Sequence, residues 1–118
     1  MKRQQVFVFG SNLGGRHGAG SALHAMKFHG AKYGTGFGPT GNAYAIPTKD
    51  ANFQKLPLTE ISPYVTTFLQ YARDNPDFDF NIVAIGTGLA GFTNEQIGPM
   101  FKGAPENCNL PAEWEKYR

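Results

Sequence analysis

Apolar positions along the chain fall into short unbroken runs that end at glycine or proline, and one long stretch with helical spacing. Val6-Phe7-Val8-Phe9 runs directly into Gly10. A run that is apolar at every position suits a strand covered on both faces, so a central strand is predicted over Gln5 to Phe9. Ile82-Val83-Ala84-Ile85 meets Gly86 in the same way and predicts a strand over Phe80 to Ile85. Between them, Asn42 to Pro47 reads as a strand closed by Pro47, with Thr48, Lys49 and Asp50 emerging at its tip. Ile61, Val65, Phe68, Leu69 and Ala72 recur three and four residues apart. That spacing predicts a helix begun at Thr59, or at Ser62 with Pro63 in its first position, and stopped by Asn75-Pro76-Asp77.

The remaining segments are shorter. Ser21 can open a helix bearing Leu23, Ala25, Met26 and His29, closed by Gly30 as a glycine cap. Gly30 to Gly41 holds five glycines and reads as an aromatic-bearing loop rather than a regular element. Thr93 with Gln96 resembles a capping box for a short helix through Phe101. A short strand is expected around Asn107 to Leu110, followed by an exposed segment from Trp114 to Arg118. Trp114 there reads as a tail anchor or a dimer contact.

Composition narrows the class. A chain of 118 residues, 41% hydrophobic and 14% aromatic, is too apolar for disorder and fits one domain over residues 1–118. No apolar run approaches the ~20 residues of a membrane span. Met1 to Gln5 carries leader-like charge, but Val6 to Leu13 is interrupted by Gly10 and Asn12, so no export signal is expected. A single cysteine, Cys108, excludes an intrachain disulfide and fits a reducing compartment, with cytoplasmic as the expected location. The net charge of +2 is scattered, which gives no broad surface for duplex nucleic acid. Between Met1 and Lys49, however, there is no carboxylate at all. That half of the chain suits an anion.

The candidate chemistry sits at the strand ends. Gly14-Gly15-Arg16-His17-Gly18-Ala19-Gly20 precedes a helix start, where unpaired N–H groups and the positive helix end hold phosphate or carboxylate. Gly86-Thr87-Gly88-Leu89-Ala90-Gly91 supplies a second bend without bulky side chains. Neither is the Gly-Lys-Ser/Thr phosphate loop, nor a dinucleotide fingerprint followed by an acidic strand end. His17 is read either as a phosphate donor and proton carrier or as a plain exposed loop residue. His24 and His29, five apart, share no helix face well, so no metal site is expected. Tyr33, Phe37 and Tyr44 are candidates to stack on a base, or packing residues. Cys108 reads as a small buried hydrophobe.

The order of these pieces resembles the macrodomain superfamily of ADP-ribose binders. It resembles in particular the branch with Gly-Ala-Gly in the first loop (Gly18-Ala19-Gly20) and Gly-x-Gly-Leu in the second (Gly86-Thr87-Gly88-Leu89), which includes glycohydrolases acting on ADP-ribosylated protein or DNA. The likeness runs from about Val6 to Phe101 and extends to small macrodomain-like proteins of bacteria and phages. It implies a three-layer α/β/α fold with a mixed central sheet. It also implies distal-ribose contacts at Phe9, Gly10, Ser11 and Asn12, with Asn12 the polar one. Diphosphate and ribose contacts would come from Gly18, Ala19, Gly20 and Ser21, with Arg16 and His17 in the same loop. Gly86, Thr87, Gly88, Leu89, Ala90, Gly91 and Phe92 would form the second diphosphate loop, Phe92 lying against a sugar or base.

The same resemblance places Thr48-Lys49 where that branch has a nucleophilic lysine. Attack on an anomeric carbon needs a partly desolvated amine and a neighbouring acid or base. The branch takes its carboxylate directly after the Gly-Leu of the second loop, and this chain has Ala90 there. Asp50 substitutes only if the backbone turns. The leading expectation is capture, without efficient turnover and without a cofactor, of ADP-ribose or a related, potentially signalling, nucleotide-derived molecule. The alternative is a Lys49-dependent hydrolase removing ADP-ribose from protein or nucleic acid, with Asp50 or His17 assisting. A third is a scaffold with a vestigial cleft. Exact ligand, homo-oligomeric state and host stay open.

Overall fold

The computed structural model describes residues 3–118; Met1 and Lys2, the start of the leader-like stretch considered above, lie outside the described residues. Among the described residues a mixed sheet of five strands forms: β1 (Gln4–Asn12), β2 (Gly38–Thr40), β3 (Ala43–Lys49), β4 (Phe78–Ile82) and β5 (Cys108–Asn109), in the order β2-β3-β1-β4-β5. β1 runs parallel to both β3 and β4, β4 runs parallel to β5, and only β2 is antiparallel to its neighbour. Helix α1 (Gly20–Phe28) follows β1, and α2 (Leu58–Asp74) carries the chain from β3 across β1 to β4. The chain therefore leaves β1 towards one edge and returns to its other side, and the crevice at such a reversal is where open α/β sheets place ligands.

Alternation along β1 separates two cores. Val6 and Val8 pack with Tyr44, Ile46, Phe80 and the α2 residues Ile61, Val65, Phe68, Leu69 and Ala72. Phe9 packs on the opposite face with Ala22 and Ala25 of α1 and with Ala31, Ala43 and Ala45. The first core is large and aromatic, the second small and alanine-rich, so α1 lies close on the sheet while α2 stands on bulky side chains. All five α2 residues predicted from spacing are buried. In α1 the buried residues are Ala22 and Ala25, whereas Leu23 and Met26 are only partly covered.

Several element boundaries differ from the sequence expectation. β1 continues through Gly10, Ser11 and Asn12 because β3 keeps pairing with it, with a register shift between Ser11 and Asn12. Pro47 does not end β3. The carbonyl of Asn42 faces β1, so by alternation the Pro47 nitrogen faces the other side, beyond Gly38 where β2 has already ended, and no ladder bond is lost. Three residues of the glycine-rich loop, Gly38 to Thr40, form β2, which the density of glycines hid. α2 starts at Leu58, before both predicted starts, and Pro63 lies inside it. β4 begins at Phe78, directly after a turn in which the Phe78 N–H donates to Asn75 (3.1 Å), and beyond Val83, whose N–H still donates to Val8 (3.2 Å), the chain leaves the ladder through a tight turn from Ile85 N–H to the Val83 carbonyl (2.7 Å).

The carboxyl-terminal segment departs from expectation in exposure at Trp114, which is packed as the expected anchor of the tail. Trp114 is 0% exposed: its ring stacks on Phe101 at 5.0 Å and its Nε1 donates to Asn94 Oδ1 at 2.9 Å. The Thr93/Gln96 capping box forms in full at the start of α3 (Asn94–Ile97), and a 3-10 turn over Gly98–Phe101 follows. Cys108 is buried, and desolvation pushes its thiol up to about 11 despite the nearby Arg118 and Arg73. It is an inert packing residue at neutral pH.

His24 on α1 and His29 at its carboxyl-terminal cap lead to an expected pH dependence of stability. His29 stacks on Phe7 at 4.4 Å and meets His24 at 5.1 Å. Burial, and then the charge of His24, lowers the His29 pKa from its ordinary 6.5. The unfolded chain therefore takes up this proton first as pH falls. The stability tied to His29 is complete above pH 6.5 and is lost as pH drops through the lower folded value. Thermal melts at about pH 7.5 and about pH 5.5 are expected to show a lower Tm in acid, and His24→Gln to narrow the gap. An unchanged gap in that variant contradicts the coupling.

Candidate functional site

The two glycine-rich bends meet. A Cβ placed on Gly10 would lie 3.4 Å from the Gly86 backbone nitrogen and 3.5 Å from the Ile85 Cβ, so the end of β1 and the turn after β4 are in close approach. Between these bends and the amino end of α1 opens a cavity of about 770 Å³, walled by Gly10 to Asn12, Arg16, Gly18 to Ala22, Tyr33, Thr48, Lys49, Phe53 and Val83 to Ala90. It occupies the carboxyl ends of β1, β3 and β4.

Each wall has a local cause. The first loop is braced by Asn12, whose side chain both donates to the Arg16 carbonyl (2.9 Å) and accepts from the Arg16 N–H (3.0 Å). The Asn12 amide, expected to contact ligand, is thus engaged in holding the loop. The Ser11 hydroxyl is engaged as well, donating to the Gly36 carbonyl. Gly15, at φ +67°, lets the loop cross Gly34 at a distance no Cβ would permit, since one would fall 2.2 Å from the Gly34 carbonyl carbon. The second loop is closed by Gly91 N–H to Gly88 (3.0 Å) and Phe92 N–H to Gly86 (2.7 Å).

What remains free is backbone. Ala19 caps α1 without a side-chain hydrogen bond. The N–H groups of Gly20, Ser21 and Ala22 in the first turn, and of Gly88, Leu89 and Ala90 in the second loop, donate to no protein acceptor among the described residues. Six unpaired donors belong to residues lining one cavity, beside a positive helix end, an arrangement whose chemistry suits an anion. The charged side chains on the wall are Arg16 and Lys49, and no aspartate or glutamate joins them.

Five predicted site residues lie off this wall. Phe9 is buried under α1. His17 is 0% exposed, wedged edge-on between Phe9 (5.3 Å) and Tyr33 (6.3 Å), with neither ring nitrogen hydrogen-bonded. It is not the exposed loop residue of one expectation, and it does not line the cavity. Asp50 builds its own turn, its Oδ1 accepting from the N–H groups of Asn52 (2.8 Å) and Gln54 (3.0 Å). Gly91 and Phe92 close the second loop from beneath: Phe92 belongs to the α2-side core, and the Lys55 ammonium lies 4.4 Å over its ring.

The aromatic candidates divide. Tyr33 stands on the wall, Phe37 packs on Tyr64 at 4.9 Å, and Tyr44 is buried, where desolvation pushes its hydroxyl up to about 12. Phe53, Ala22 and Val83 to Ile85 were not foreseen on the wall. For Phe53 the available signal was Asp50, because an aspartate readily accepts from the N–H two residues on and so marks a tight turn there.

Among the described residues no group of three or more His, Cys, Asp and Glu could hold a metal ion, and no helix is long and apolar enough to cross a membrane. Comparison with models of protein families, with curated proteins and with solved structures returned no match.

Proposed function

We propose that the chain captures a nucleotide-derived diphosphate of the ADP-ribose class and releases it unchanged. The observation that carries this reading is the set of unpaired N–H groups from two glycine-rich loops around one cavity at the carboxyl ends of β1, β3 and β4. A diphosphate needs several donors, offers two or more negative charges, and finds Arg16 and Lys49 as its counter-charges. The volume suits a ligand of nucleotide size, within the ~300–1,000 Å³ usual for small-molecule sites. The motif order shared with macrodomains points to the same class and to a three-layer arrangement of that kind.

Capture is favoured over hydrolysis by what the wall lacks. Displacement at an anomeric carbon needs a carboxylate or an equivalent base beside the nucleophile, and the wall offers none. Ala90 occupies the place the family resemblance reserves for it, and Asp50 is committed to its turn. Lys49 then serves as a counter-charge. Titration calorimetry with ADP-ribose, followed by mass analysis of the recovered ligand, is expected to show saturable binding and an intact molecule. Lys49→Ala is expected to weaken binding about tenfold, the worth of one charge-assisted contact. ADP-ribose freed from an ADP-ribosylated protein or nucleic acid, with the release lost in Lys49→Ala, would establish the hydrolase instead.

A further inference from the structure

Phe53 is the one non-glycine residue among the described residues with a positive φ, +63°. Left-handed backbone is unfavourable for a phenylalanine, and it persists only where surrounding bonds impose it. Here they do. The Asp50 carboxylate takes two N–H groups, the Asp50 N–H donates to Gln54 (2.8 Å), the Phe53 N–H donates to Asp50 (3.1 Å), and Lys49 bridges Lys55 to clamp the base of the turn. The product of this bonding is an aromatic ring on the cavity wall that is 46% exposed, with the Arg16 guanidinium 5.6 Å from its centroid and Tyr33, 64% exposed, on the same wall. None of these bonds helps the core, to which Phe53 does not belong.

Building on the proposed capture of a diphosphate, we infer that Phe53 is a specificity-determining residue. Its ring receives the flat heterocyclic base of the ligand, and Asp50 is the positioning residue that holds it there. A half-exposed phenyl face gains from being covered, and a purine covers it with a surface of matching shape. The Arg16 cation on the ring also makes that side of the cavity hospitable to an electron-rich heterocycle. A diphosphate without a base meets the same backbone donors but leaves Phe53 untouched.

The experiment compares ADP-ribose with ribose 5-diphosphate, which carries a sugar and the diphosphate but no base, on the full chain by calorimetry, the weaker probe by competition. Phe53→Gly removes the ring and relieves the strained φ, so its Tm is expected to equal or exceed the parent's. Its ADP-ribose affinity is expected to fall about tenfold, the worth of one stacked base, with ribose 5-diphosphate affinity unchanged. Asp50→Ala is expected to reproduce part of that selective loss and Asp50→Asn, which keeps the accepting oxygen, to restore it. Equal losses for both probes, or no loss for either, overturn the inference while leaving capture intact. If neither probe binds the unaltered chain, both fall together.

Discussion

Replacing Gly88 by valine is expected to abolish measurable ADP-ribose binding while leaving the fold in place. A Cβ at Gly88 meets no atom within 4 Å and the backbone there is not left-handed, so the folded chain accepts a larger residue without strain. The space it enters is the cavity itself. A branched side chain would hold a diphosphate off the N–H groups of Gly88, Leu89 and Ala90, and each bond to a charged oxygen is worth ~1.5–3 kcal/mol. Loss of two corresponds to at least about a hundredfold in affinity. Thermal melts should match the parent within about 1 kcal/mol. Parental affinity in Gly88→Val would place the ligand elsewhere, and a collapsed melt would show the loop to be structural.

The second large effect is on stability. Trp114 is fully buried between Phe101 and the Gly98 turn, where a Gly98 Cβ would already come within 3.1 Å of the indole. Truncation to alanine leaves a cavity of indole size and strands the Asn94 Oδ1 that accepts from Nε1. A cost of ~3–5 kcal/mol is expected, against a total of ~5–15 kcal/mol for a domain of this kind. The Tm should fall by about 10 °C or more. Trp114→Phe, which keeps the stacking and loses one hydrogen bond, should recover most of it. A loss below about 1 kcal/mol in Trp114→Ala would mean that the tail folds back without bracing the core.

Periodicity identified most of the frame, because burial on a sheet and on a helix imposes repeats of different length. β1, β3, β4 and α2 were all legible, and the α2 positions Ile61, Val65, Phe68, Leu69 and Ala72 all face the core. Boundaries were less so. The ends of β1 and β3 are set by the partner strand rather than by the chain's own residues, which is why Gly10 and Pro47 sit inside strands they were expected to end. β2 is invisible in Gly38-Pro39-Thr40 because three residues carry no period.

The site divides along the same line. Backbone-built parts could be read, since glycines at strand ends announce close approach: Gly10, Gly18, Gly20, Gly86 and Gly88 all line the cavity. Side-chain assignments fared worse, because whether a polar group is free depends on neighbours remote in sequence. Ser11 is taken by Gly36, Asn12 by Arg16 and Asp50 by its own turn. His17 is buried by Phe9 and Tyr33, residues no local pattern brings to it.

The central claim is that main-chain N–H groups of the two loops, rather than a catalytic array, hold the ligand. Following the amide signals of the isotopically labelled chain by NMR while ADP-ribose is added tests it most directly. The account predicts saturable shifts that are largest at Gly20, Ser21, Ala22, Gly88, Leu89 and Ala90, with the ligand's own signals unchanged after prolonged incubation. Shifts centred away from these two loops, or none at saturating ligand, would contradict it.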